Sequence, residues 1–304
     1  MDALGRARTR RRIAAAALAF AALLLAAFWL LREPPVTAHP PLWRISQGDR
    51  QAWLLGTIHA VPAGTRWLSP AVAQAVRESD LLILEVTGLE AERRERAVFE
   101  RLGRSPDLPP VAARLDDATG ETRLAALRKA APEVLADLDG YESWAAALLV
   151  NAAATRGLSQ AEAPEERLAA LFRADGRAVR GLETIEDQLG AFDGLNEADQ
   201  HALLAQALAE ADEAPRQLAR LHARWAAGDL PALEALFLAP LERTPHLRAA
   251  LIDRRNALWA ERIDALLRRE GKRPFIAVGT GHMLGTGGLP ARLAAAGWQV
   301  ERIQ

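Results

Sequence analysis

The sequence contains no cysteine. That excludes disulfides, thiol catalysis, cysteine-based metal sites and a lipidated cysteine. It leaves the redox compartment open, because a disulfide-free chain functions on either side of a membrane. An excess of one charge is also lacking. The 38 Lys and Arg face 39 Asp and Glu, so nothing points to nucleic acid or to bulk attraction by acidic surfaces. Aromatic residues make up 5% of the chain, and beyond Trp43, Trp53 and Trp67 the expected cleft shows no aromatic-rich binding platform. A helical His-Glu-x-x-His signature is missing, so any metal site is of another kind. What is present is an ordinary globular balance: 304 residues, half apolar and a quarter charged, enough for a large core in one or two domains.

The amino-terminus reads as a targeting element. Residues 1–12 form a basic leader with Arg6, Arg8, Arg10, Arg11 and Arg12, followed by an unbroken apolar run from Ile13 to Leu31. As a helix that run spans roughly 28 Å, close to a bilayer core. The arginines favour the cytoplasmic side, which exports everything after Leu31. The expectation is a single-pass signal anchor in the inner (cytoplasmic) membrane with the carboxy-terminal domain on the periplasmic side. Cleavage near Val36-Thr37-Ala38, giving a secreted domain, and a buried soluble helix are the alternatives. Residues 32–41 then form a linker.

Beyond it, Leu42 to Ile45 and Gln51 to Ile58 read as strands around a Gln47-Gly48-Asp49 turn. Ser69 to Ser79 reads as a helix with Ser69 as cap and Pro70 at its first position. Leu81 to Val86 is a buried strand, too short and too continuously apolar for a helix. Further short strands are expected at Arg177 to Leu182, Phe275 to Val278 and Trp298 to Ile303, with helical periodicity at about 90–173 and 190–270. The fold class is α/β. A central mixed, largely parallel sheet is assembled from both chain ends over 42–304, with a large helical insertion lying as a lid or wall over its carboxy-terminal edge.

One short phrase occurs twice. Gly56-Thr57-Ile58-His59 and Gly279-Thr280-Gly281-His282 are both G-T-x-H, each ending an apolar run. Each histidine then stands just past a strand's carboxy-terminal end, the edge where open α/β sheets bind ligands. Two other strands end in carboxylates, Glu85 and Glu183. If the four strands are parallel neighbours, all four side chains converge. Two His and two Glu suit Zn, Mn or Fe, and a bound metal can generate a nucleophilic water. Without metal, a His–Glu pair can still move protons near neutral pH. Each residue also has a plainer reading. A histidine after a strand is more often structural, and Glu183 in Glu183-Thr184-Ile185-Glu186 suits a helix start. Glu85 in a buried strand needs a partner. The Arg254-Arg255 pair reads first as a solvated helix face, with one arginine reaching the sheet edge as the second reading.

Taken together, Gly-Thr-Ile-His59, the Leu-Glu85 strand end, Gly181-Leu182-Glu183-Thr184 with Gln188, Arg255-Asn256, and Val278-Gly-Thr-Gly-His282-Met-Leu-Gly285 with Gly288-Leu289 resemble the TraB/GumN family, which includes the Tiki proteins. The resemblance runs from about Pro41 to Gln304. It implies a domain related to the erythromycin-esterase-like and ChaN-like folds. It also implies a metal-dependent, protease-like site in which His59, Glu85 and His282 are metal ligands or acid/base groups, with Glu183 supporting and Arg255 and Asn256 binding substrate. One departure stands out: Ala163-Pro164-Glu165-Glu166 lies where many members carry a Gly-[Val/Ile]-Asp motif, so that substrate contact is not carried over.

Three functions follow as expectations. The first is a membrane-anchored hydrolase, peptidase-like, dependent on a divalent transition metal and acting on exported peptides or proteins. The second is a non-catalytic module that holds a metal chelate, haem-like or polysaccharide-related ligand. The third is a metal-independent, esterase-like hydrolase. The sequence gives neither substrate nor oligomeric state.

Overall fold

The computed structural model describes residues 37–58, 61–62, 64–87, 91–115, 118–156 and 164–304. The expected membrane segment at 13–31, the basic leader and His59 lie outside the described residues. Among the described residues no helix is long and apolar enough to cross a membrane.

Six strands form one sheet: β1 (Leu42–Gln47), β2 (Arg50–Thr57), β3 (Leu81–Leu84), β4 (Ala178–Gly181), β5 (Pro274–Gly279) and β6 (Gln299–Arg302), in the order β4-β3-β5-β2-β1-β6. The four neighbours β4, β3, β5 and β2, starting from one edge of the sheet, run parallel, whereas β1 is antiparallel to both β2 and β6. The sheet is therefore mixed and drawn from both chain ends. β1 and β2 form a hairpin whose Gln47↔Arg50 pairing leaves a two-residue loop. Gly48 opens that loop at φ +57°, a conformation that costs glycine nothing.

The apolar runs are continuous because both faces of the sheet are covered. Trp53 and Leu55, Leu82 and Leu84, and Phe275 and Ala277 point into one core with Trp67, Val72, Phe172 and Trp225. Their alternates, Ala52 and Leu54, Leu81 and Ile83, and Ile276 and Val278, point into the other with Trp259, Ile263, Leu267, Leu293 and Trp298. This is the two-residue period of a strand. The first core is closed by the Pro70–Glu78, Pro164–Ala174 and Ala214–Ala226 helices, the second by Arg254–Arg269 and Leu289–Ala295. Ser69 caps the first helix by accepting from the Val72 N–H at 3.2 Å, with Pro70 behind it.

A separate apolar cluster forms where the Ser143–Ala154 and Glu197–Glu210 helices meet through Ala146, Ala147, Val150, Leu204, Ala207 and Leu208. The two helical stretches of sequence thus share a core of their own. Thr37–Gln304 form one compact unit.

Candidate functional site at the sheet edge

The parallel order of the strands puts Glu183, Glu85 and His282 side by side. Glu85 follows β3 directly, Glu183 stands two residues past β4, and His282 sits in the 3-10 turn Thr280–Met283 that follows β5. All three are buried. The next parallel neighbour is β2, after whose end His59 falls, outside the described residues. The two G-T-x-H segments are offset by one residue in register, since Thr57 pairs with Gly279.

Both glycines of the repeated phrase serve close approach. A Cβ on Gly56 lands 3.0 Å from Thr280 Oγ1, and one on Gly279 lands 3.0 Å from Glu85 Oε1. The Gly279 N–H donates to that same Glu85 oxygen at 2.7 Å. Thr280 Oγ1 donates to the Thr57 carbonyl at 2.8 Å, and Trp225 Nε1 donates to the Gly56 carbonyl at 2.8 Å. The ends of β2 and β5 are thereby fixed to one another.

Arg255 holds the centre. It lies in the first turn of the Arg254–Arg269 helix, after a π turn at Ala249–Asp253 in which the Arg254 N–H reaches back five residues to the Ala249 carbonyl. Such turns recur at functional sites. Its Nε and Nη2 grip Glu183 bidentately at 3.2 and 2.7 Å, and Nη2 also donates to Glu85 Oε2 at 3.0 Å. Nη1 donates to the Leu251 carbonyl at 3.0 Å and to His282 Nε2 at 3.3 Å. A guanidinium has five N–H donors, and these contacts use all five. Arg254, the other half of the pair, is exposed. Adjacent helical residues point about 100° apart, so one faces the sheet edge and the other water.

Two further side chains join the network. Gln188 Nε2 donates to Glu85 Oε2 at 3.2 Å, and Trp259 Nε1 donates to Glu183 Oε2 at 3.2 Å. The Trp259 ring lies 4.5 Å from the His282 ring and 4.6 Å from the Arg255 guanidinium carbon. Glu183 stands at a helix start, as its sequence context suggested, one residue before the cap of the Ile185–Asp193 helix. Thr184 is that cap, in a capping box with Asp187. Burial pushes the Glu183 carboxyl above the ordinary carboxylate range. The Glu85 charge adds to that rise, whereas Arg255 and the Trp259 hydrogen bond oppose it.

Asn256 fixes the state of His282. Its Nδ2 donates to the Gly287 carbonyl at 3.0 Å and the His282 carbonyl at 3.4 Å. That orients the amide, so Oδ1 is the acceptor facing His282 Nδ1 at 2.7 Å. The proton of the neutral ring therefore sits on Nδ1 and the lone pair on Nε2. Asn256 is wholly buried, and Arg255 has every donor engaged. Both residues hold the site together through contacts within the protein. Trp259 and the Gly279 N–H were not foreseen. The spacing Arg255-x-x-x-Trp259, one helical turn, was the available signal.

As they stand, the described residues do not fit a metal shared by Glu85 and His282. The Arg255 guanidinium already bridges those two side chains, so an organic cation lies where their ligand lone pairs meet. No group of three His, Asp or Glu among the described residues is placed to hold a metal ion.

Fold and site together define an α/β protein with a His/Glu/Arg network at the carboxy-terminal edge of its parallel strands. The model of the TraB/PrgY/gumN family matches residues 41–302, and the chain belongs to that family. Comparison with curated proteins and with solved structures found no match.

Proposed function

We propose that the chain is a hydrolase of peptide or related acyl bonds, with its chemistry at the sheet edge and His282 Nε2 as the group that takes a proton from the attacking water. The observation that carries this reading is the Asn256–His282 contact at 2.7 Å, which holds the ring with Nε2 as an acceptor. A base must be within reach of its proton and hold the lone pair there. The 3.3 Å bond from Arg255 to Nε2 is the longest that Arg255 makes, and a water exchanges with it most readily. Glu85 and Glu183 keep Arg255 in place, and Arg255 with Asn256 keeps His282 in place. On this reading they are positioning residues. The apolar run from Ile13 to Leu31 behind five arginines supports an exported domain anchored in the membrane.

A divalent transition metal held by His59, Glu85 and His282 is the competing reading, favoured by the convergence of Glu85 and His282 from adjacent strand ends. It requires Arg255 to leave both of them. The deciding experiment assays the full chain on a panel of peptides and esters, with and without a strong chelator, beside His282→Gln. Hydrolysis that survives the chelator and disappears in His282→Gln fits the proposal. Activity lost to the chelator and restored by Zn or Mn transfers the function to the metal reading. Stoichiometric ligand capture without turnover makes the chain a binding module instead.

A further inference from the structure

A groove of about 800 Å³ is lined by Thr65, Arg66 and Trp67 from the segment after β2, and by Glu166, Arg167 and Ala170 from the Pro164–Ala174 helix. Its volume is in the range of ligand sites. None of its side chains takes part in the network around Arg255. Ala170 lies one turn from Glu166 and three residues from Arg167, so all three border the same side of the helix.

The walls of this groove are fixed by internal bonds. Thr65 Oγ1 donates to the Pro62 carbonyl at 2.7 Å, and so accepts from His222 Nε2 at 3.3 Å. Trp67 is buried. Glu165, next to Glu166, accepts from Thr57 Oγ1 at 2.6 Å. The Thr57 carbonyl in turn accepts from Thr280, two residues before His282. The groove therefore adjoins the end of β2 and, through it, the sheet edge. Arg66 and Arg167 are both exposed, and neither guanidinium has a hydrogen-bond or ion-pair partner among the described residues. Single exposed arginines of this kind are commonplace. Two of them lining one preformed concavity beside a candidate site constitute a recognition feature.

We infer that this groove is the subsite for an acidic peptide segment, in which Arg66 and Arg167 take a side-chain or terminal carboxylate and Glu166 accepts from a neighbouring peptide N–H. Two guanidinium groups and one carboxylate give the lining a charge of +1, which suits a carboxylate better than a doubly charged phosphate. The planar guanidinium fork also matches the carboxylate geometry. The inference rests on the hydrolase reading for which bond is cut, and does not depend on it for binding.

Fluorescence anisotropy of the full chain in detergent tests it, with a labelled Asp/Glu-containing peptide and its Asn/Gln counterpart as probes. The expected result is at least tenfold tighter binding of the acidic peptide. That preference is reduced in Arg66→Ala and in Arg167→Ala, abolished in the double variant with an unchanged melting temperature, and retained in His282→Gln. Equal binding of the two peptides, or full binding by the folded double variant, overturns the inference. Displacement of the acidic peptide by inorganic phosphate at the concentrations at which unlabelled acidic peptide displaces it also overturns it. An acidic peptide that is bound through the arginines but never hydrolysed leaves the subsite standing and removes the hydrolase reading.

Discussion

Two arginines in this chain bridge two carboxylates over an aromatic ring, and they teach opposite lessons. Arg104, at the end of the Ala91–Gly103 helix, donates to Glu100 at 2.5 Å and Asp137 at 2.7 Å, with its guanidinium carbon 4.0 Å from the Tyr141 ring centre. Arg255 bridges Glu85 and Glu183 over Trp259 in the same manner. The difference is water. The Arg104, Glu100 and Asp137 side chains are 37%, 42% and 71% exposed, against 14%, 10% and 3% for Arg255, Glu85 and Glu183. The consequence appears in the carboxyls. Glu100 is held below its ordinary range by the Tyr141 hydroxyl and then by Arg104, whereas burial raises Glu183 despite a bidentate arginine. The exposed cluster is a surface clamp. The buried one sets two carboxylates against an arginine where charge is expensive, which is costly for stability, and shifted groups of this kind cluster at functional sites.

The largest break in that comparison is expected from Arg255→Met. It leaves two buried carboxylates without their cation, and thermal or denaturant unfolding should register a loss of about 3–5 kcal/mol. A variant as stable as the parent would mean that the network does not hold the sheet edge. Asn256→Leu comes next. It strips partners from His282 Nδ1 and from the His282 and Gly287 carbonyls, with an expected cost of about 1–3 kcal/mol and loss of whatever activity depends on His282. Denaturant midpoints against pH sharpen the contrast further. The folded chain keeps the Glu183 proton over a window in which the unfolded chain has lost it. Stability from this group is therefore lost as pH rises from the ordinary carboxylate range through the raised folded value. Glu183→Gln should flatten that slope. Glu100 has the opposite sign: its contribution is present above the unfolded value and is lost as pH falls. An unchanged slope in Glu183→Gln contradicts the assignment. The smallest effect belongs to Arg104→Ala, expected to cost under about 1 kcal/mol in the same unfolding assay because its partners are solvated.

Much of this arrangement was legible in the sequence. The apolar runs at Trp53-Leu54-Leu55, Leu81 to Leu84 and Phe275 to Val278 read as buried strands because β-structure covered on both faces shows no polar alternation. The carboxylates and histidine at their ends followed from that. Asn256 reads with Arg255 as a substrate contact, and the stripe Asn256, Trp259, Ile263 and Leu267 that the Arg254–Arg269 helix buries was the signal that went unused. Arg255 could not be separated from Arg254 by charge alone. Its inward direction depends on the helix phase, and that phase is set by a π turn at Ala249–Asp253 which no residue type announces. Glu183 was ambiguous for a local reason: a glutamate before Thr-Ile-Glu-Asp suits a helix start equally well, and only the placement of Trp259 and Arg255 draws its carboxylate toward the sheet edge. The bridging of Glu85 and His282 by Arg255 was likewise invisible, because a ligand-like spacing says nothing about which cation faces it.

The most direct test of the account is the tautomer of His282, read from ¹⁵N–¹H correlation spectra of the histidine rings in the full chain, with His282→Gln supplying the assignment by difference. The account predicts a neutral ring protonated at Nδ1, with Nε2 carrying the lone pair, and loss of that preference in Asn256→Leu. A ring protonated at Nε2, or an Nδ1 signal indifferent to Asn256, would contradict it.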